Sequence, residues 1–167
     1  MVATSLGALT TDQVWQEIEK NLFAVLGMVT AKGEARTVGV IYAVDDHKLY
    51  IATGKITWKI KHVAHNPHVS LTIPIARQIP FLPWIKIPAA TVTFSGVAKV
   101  LKHEEVKAHI IKRIYRDLMN DEAMMANSCF IEVTPQGEFI TYGVGMPLMQ
   151  MRFPDKARGR AAVVPSK

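Results

Sequence analysis

Residues 24–53 hold three short runs of apolar and β-branched residues, each closed by a turn signal, and this rhythm leaves few folds open. Residues 24–30 form the first run, Lys32-Gly33-Glu34 a turn, and residues 37–44 the second run. Asp45-Asp46-His47-Lys48 makes the next turn, and residues 49–53 form the third strand before Gly54 stops it. Three antiparallel strands this close in sequence are a meander, which needs a further layer or its own closure to bury one face.

The flanks supply both. Thr10 and Gln13 have the spacing of a capping box, and Val14, Ile18 and Leu22 follow at helical intervals, so an amphipathic helix is expected over 10–22. Residues 57–64 predict a short helix ended by Asn66-Pro67. Residues 69–73 return to strand alternation, and residues 90–101 read as a long strand with a bend or bulge at Gly96. Residues 104–119 carry Val106, Ile110, Ile111, Ile114 and Leu118 on one helical face. Residues 129–133 and 138–142 are expected as two closing strands separated by Pro135-Gln136-Gly137. The proline-rich stretch 74–88, with Phe81 and Trp84, is too apolar for a solvated linker and is expected to pack on something, a second subunit included. The sum is a six-stranded antiparallel barrel with flanking helices over 1–145, followed by a partly extended basic tail over 146–167.

Composition narrows the function classes. At 167 residues and 49% hydrophobic the chain is long enough to bury about two-thirds of its surface as one domain. A single cysteine, Cys129, excludes an internal disulfide and a four-cysteine zinc site, and with no signal core or membrane-length apolar run the expected location is the cytoplasm. A net charge of +6 favours phosphate-bearing partners. Nucleic acid is not expected, because the basic residues alternate with Asp and Glu and no aromatic-basic stacking platform is present. His62, His65 and His68 are spaced for a metal, but Asn66-Pro67 turns the third away, so no metal is expected. Cys129 reads as a buried inert thiol, and Arg152, Arg158 and Arg160 as a solvated basic tail, the competing reading being that they close over a cofactor or bind acidic groups.

The segment with most chemistry is 53–59. A strand ends at Thr53, the loop Gly54-Lys55-Ile56 follows, and a helix opens with Thr57 at its cap and Lys59 in its first turn. Free backbone N–H groups, the positive end of the helix dipole, a hydroxyl and an ammonium converge there, as a phosphate requires. Arg36 reaches the same anion if the second and third strands are neighbours. The competing reading is an ordinary helix cap with solvated lysines.

The order Leu26-Gly27-Met28-Val29-Thr30, Arg36-Thr37-Val38-Gly39-Val40, Leu49-Tyr50-Ile51-Ala52-Thr53-Gly54, Thr57-Trp58-Lys59 and Asn66-Pro67-His68-Val69-Ser70-Leu71 resembles the flavin-binding split-barrel family, the pyridoxamine 5′-phosphate oxidase-like proteins, over residues 14 to about 142. The resemblance implies a six-stranded split barrel, a homodimer with FMN at each of two subunit interfaces, and an oxidoreductase that passes hydride or electrons through the flavin to a small substrate. Under it, Arg36 is a phosphate ligand, and Thr37, Val38 and Gly39 border the flavin ring. Ala52 and Thr53 meet the ring or ribityl chain, Thr57, Trp58 and Lys59 hold the phosphate, and Trp84 is an aromatic wall from the partner. Trp58 stands where the family commonly has arginine, a loss of about 1.5–3 kcal/mol of charge-assisted bonding unless Lys55 or Lys61 substitutes. Ile41 stands where the true oxidases carry lysine, and the Arg-x-His-x-Arg substrate grip is absent, so pyridoxamine oxidation is not expected. Other split barrels use the deazaflavin F420, or store or sense flavin or haem without catalysis. No residue stands out as an acid or base, and the flavin often needs none.

Overall fold

The computed structural model describes residues 9–78, 81, 84, 87–116 and 122–163. Its frame is a set of antiparallel ladders. Strand β1 (Phe23–Val29) pairs with β2 (Ala35–Asp45) from Phe23 opposite Ile41 to Val29 opposite Ala35. The Thr30 hydroxyl accepts from the amides of Lys32 and Glu34, and Gly33 supplies the positive φ of +79°. Strand β3 (Lys48–Gly54) returns through a two-residue turn in which Asp46 and His47 both have positive φ, the geometry that matches strand twist.

Helix α2 (Trp58–His65) leads to β4 (His68–Ile75), which pairs with the free side of β1, and β5 (Ala90–Lys102) pairs with β4. Strand β6 (Ser128–Tyr142) lies along β5 and closes the ring on β3, from Leu49 opposite Val133 to Gly54 opposite Ser128. The result is the expected six-stranded antiparallel barrel with helices on its flanks. A seventh strand, β7 (Arg158–Ala162), takes the rest of the β6 edge, from Glu138 opposite Ala162 to Tyr142 opposite Arg158.

Three sequence expectations are corrected. β6 is one strand of 15 residues, because β5 pairs with it on both sides of a register shift at which Gly137, Glu138 and Phe139 stand opposite the single residue Phe94. Pro135, which lacks an amide hydrogen, sits after the last residue paired to β3 and before the first paired to β7. The irregularity beside β5 falls between Thr93 and Ser95, not at Gly96, and its extra residues lie on β6, where Gly137 has a φ of +74°. Gly96 instead permits close approach, since a Cβ there would lie 2.8 Å from the Thr134 carbonyl oxygen. The long helix is divided: a 3₁₀ turn over His103–Glu105, capped by the Glu105 carboxylate on the Lys102 amide (2.7 Å), gives way to an extended Val106 that reaches the core. Helix α3 (Ala108–Tyr115) then buries Ile110 and Ile111, and Leu118 lies outside the described residues. A short α4 (Glu122–Ala126) precedes β6.

The interior is filled by alternate strand residues such as Leu26, Leu49, Ile51, Leu71, Ile73, Phe94, Ile131 and Phe139. Helix α1 (Thr11–Lys20) covers it with Val14, Trp15 and Ile18. Its capping box is present, with the Thr10 hydroxyl accepting from the Gln13 amide at 3.2 Å and the Gln13 side chain accepting from the Thr10 amide at 2.9 Å. Leu22 falls past its end and is exposed. The buried Tyr42 phenol donates to the Ile18 carbonyl at 2.7 Å, and burial pushes its pKa up, so it stays a donor. Residues beyond 145 also contribute: the short helix α5 (Pro154–Ala157) and β7 place Ala157 and Ala161 inside, with Met151 beside them.

Outside the barrel, α3 and α4 cover a second apolar cluster of Ala43, Tyr50, Leu101, Ile110, Ile111 and Phe130. An ionic clamp holds α3 there. Asp45 accepts from Lys107 Nζ at 2.8 Å and bonds His109 Nε2 at 2.9 Å, and Arg113 donates to the Val44 carbonyl at 3.1 Å. The Lys107 and His109 hydrogen bonds hold the Asp45 carboxyl below its ordinary value of 3.8, so its stabilising contribution is present above that pH and lost as pH falls through the lowered value. The partners are solvent-exposed, so the effect is small. Asp45→Asn is expected to lower Tm by a few degrees at neutral pH, and the gap to the unmodified protein should close in acid. A gap that persists once the carboxylate is protonated would show that the charge plays no part.

Candidate functional site

The β2–β3 ladder ends at the pair Tyr42 and Ile51. Beyond it the two strands part: residues 35–41 remain paired to β1 on one edge only, while residues 52–54 follow β6. The sequence-predicted residues Arg36, Thr37, Val38 and Gly39 therefore line one side of an opening, and Ala52, Thr53 and the start of α2 the other. Along β2 the unpartnered backbone edge offers N–H and C=O groups to a flat ring. Thr37 and Gly39 face outward, whereas Val38 packs against the core. The Phe23 ring lies across Gly39, and a Cβ there would meet Phe23 Cε2 at 2.8 Å and push the ring aside.

The start of α2 is unusual. Thr57 occupies the N-cap position with extended backbone, yet its hydroxyl does not cap the helix; it lies 3.1 Å from the Thr53 hydroxyl. The amides of Ile60 and Lys61 reach back to the Thr57 carbonyl, and among the described residues those of Trp58 and Lys59 find no acceptor. No acidic residue stands in the first turn. Lys59 Nζ has no carboxylate partner among the described residues and rests 5.7 Å from the centre of the Trp58 ring. Two hydroxyls, two free amides, an ammonium and the dipole's positive end thus share one helix terminus.

The remaining candidates are spread out. Lys55 donates to the Ala126 carbonyl at 2.7 Å, closing the end of α4, and borders a cleft of about 480 Å³ with Ile60, Val100 and Cys129. Arg36 pairs with Glu34 at 2.9 Å within its own hairpin and borders a cleft of about 450 Å³ with His68, Ser70, Ser95 and Gln136. Trp84 is 72% exposed and Phe81 95%, so neither ring is packed on its own barrel. Burial raises the Cys129 thiol above its ordinary pKa despite nearby Lys55, which disfavours the thiolate. Burial also raises the Tyr42 and Tyr50 phenols, and the Lys107–Asp45 pair lies on the α3 side of the barrel.

Sequence reasoning missed the outer face of β1, β2, β4, β5 and β6. Phe23, Val25, Ile41 and Ile140 stand there among Gly27, Gly39, Ser70, Thr72, Thr91, Thr93 and Ser95. The alternation of hydroxyl residues in 70–72 and 91–95 was its signal.

Known proteins agree with this architecture. A candidate pyridoxamine 5′-phosphate oxidase from Listeria innocua is 22% identical, with 74% of this chain and 91% of that one covered at a TM-score of 0.59. A FAD-binding protein from Mesorhizobium loti is 19% identical, with 77% and 91% covered and a TM-score of 0.59. A haem-binding protein from Mycobacterium smegmatis is 14% identical at a TM-score of 0.65, with 97% of this chain covered but only 60% of that longer chain. These likenesses establish the fold. No curated protein matches. The sequence model of the pyridoxamine 5′-phosphate oxidase family matches residues 10–142. With that match spanning most of the barrel, the chain belongs to the pyridoxamine 5′-phosphate oxidase family.

Proposed function

We propose that this protein is a cytoplasmic, homodimeric FMN-binding oxidoreductase that passes hydride or electrons to a small substrate. The observation that carries the reading is the α2 terminus, where the Trp58 and Lys59 amides, the Thr57 hydroxyl and the Lys59 ammonium stand, among the described residues, unclaimed by any carboxylate beside the parted strands. That donor set fits a phosphate monoester. Thr57 and Lys59 hold the phosphate, Ala52 and Thr53 flank the ribityl chain, and the open edge of β2 over residues 36–39 borders the ring. Bound there, the flavin supplies the redox chemistry, and the protein sets its orientation and polarity. A FAD-binding relative on the same fold supports a flavin, and the haem-binding relative defines the rival.

The site is half-built in one chain. Phe23 (47% exposed) and Ile41 (60% exposed) lie side by side on the outer face, and the Trp84 ring is 72% exposed. A second copy covering that face supplies the missing wall. Light scattering is expected to give twice 18.6 kDa, and the double variant Phe23→Lys/Ile41→Lys should run as a folded monomer with reduced cofactor; a monomeric parent protein would remove the shared site.

The visible spectrum of freshly purified protein and the mass of the released cofactor test the cofactor directly: FMN is expected, and a deazaflavin or haem would replace it in this reading. Thr57→Ala/Lys59→Ala removes two charge-assisted contacts of about 1.5–3 kcal/mol each, so bound flavin should fall by more than about tenfold in a protein of unchanged circular dichroism. Full retention would move the phosphate elsewhere.

A further inference from the structure

The two ends of the barrel are closed unequally. Trp15 of α1 stacks on His47 at the start of β3, ring centres 4.8 Å apart, and with Val14 and Ile18 it seals that end. Helix α2 follows the end of β3 and covers the opposite mouth, with Val63 in the core and Ile60 packed at its edge. Beside α2 a cleft of about 480 Å³ stays open. Val100 in its wall packs on the barrel core, so the cleft enters at this mouth and lies off the outer face that a second copy covers.

The lining has two zones. Ile60, Val100 and the buried Cys129 thiol give an apolar floor, and the exposed Lys55, Glu104 and Glu105 stand at the rim. The rim charges come from different elements, Lys55 from the loop before α2 and the glutamates from the 3₁₀ turn after β5. Among the described residues Lys55 forms no ion pair with either glutamate, and Glu104 has no ion-pair partner. Two of the three groups are held in place. Lys55 Nζ donates to the Ala126 carbonyl at 2.7 Å, which leaves further N–H groups on the ammonium, and the Glu105 carboxylate accepts from the Lys102 amide at 2.7 Å. Opposite charges that border one cleft without meeting complement a molecule that carries both, and the floor below them takes an apolar group.

We infer that this cleft is a binding site for a zwitterionic amino acid with an apolar side chain, its carboxylate on Lys55, its ammonium on Glu104 and its side chain on Ile60, Val100 and Cys129. The site uses neither Thr57 nor Lys59, so the inference goes beyond the flavin reading and does not depend on it.

Calorimetric titration with L-leucine tests it against three analogues: isoamylamine, which lacks the carboxylate, isocaproate, which lacks the ammonium, and glycine, which lacks the apolar side chain. Leucine is expected to bind about tenfold or more tighter than each of them. Saturating leucine, but not glycine, should also slow the reaction of Cys129 with dithiodipyridine severalfold. Glu104→Gln should weaken leucine while leaving isocaproate unchanged, Lys55→Gln should bring leucine down to the level of isoamylamine, and Lys55→Arg should retain part of the affinity. Cofactor content and Tm of Glu104→Gln should match the parent, and Thr57→Ala/Lys59→Ala should still bind leucine, which separates this cleft from the phosphate site of the flavin. No binding of leucine, equal binding of isoamylamine and isocaproate, unchanged leucine affinity in Glu104→Gln, or loss of leucine with Thr57→Ala/Lys59→Ala would overturn the proposal.

Discussion

The ladder between β3 and β6 is the constraint on which the molecule rests. Without it the six strands form an open, twisted sheet with two exposed edges and an interior that α1 alone cannot cover. With it, Ile51 and Ile131 face each other across a closed ring, and Leu71, Ile73 and Phe139 share one fully buried cluster. Closure also dictates where the opening falls. β3 leaves β2 after Ile51 while continuing along β6 to Gly54, so the parted strands and the free start of α2 are consequences of one strand changing neighbours.

Closure is short-range at one end and long-range at the other, and this decides what sequence could reveal. The meander, the capping box of Thr10 and Gln13 and the turn at Asp46-His47 depend on residues within a few positions of one another, and they are legible. Pro135-Gln136-Gly137 reads locally as a turn, and only the long partner strand opposite, with Gly96 yielding space, holds it in a single strand. The division of the long helix likewise depends on Val106 being drawn into a pocket made by distant strands. β7 carries two arginines and a glycine, which no strand pattern favours, and its small inward residues make sense only once Thr141 is known to lie behind them.

The site shows the same division. Thr57 and Lys59 were legible because a strand end, a hydroxyl and a lysine at a helix start form a local unit. Lys55 looked equivalent, but its ammonium is taken by a carbonyl 71 residues away. Arg36 was marked by its neighbours in sequence, while its pairing to Glu34 follows from the hairpin turn between the two strands. Electrostatics adds a second layer: the described ion pairs lie within a hairpin, on a helix face, across the β3–β6 ladder, between β2 and α3 or at the β7 edge, and none of them includes Lys59.

The divided edge of β6 separates two tasks within one strand. Its first half completes the ring and its second half carries β7, with Pro135 between them. The outward residues of β7, Arg158, Arg160 and Ala162, can therefore vary in charge and size without disturbing the ladder that keeps the barrel shut, while Gly159 and Ala161 stay small. A chain built this way is free to change what it grips while keeping how it folds.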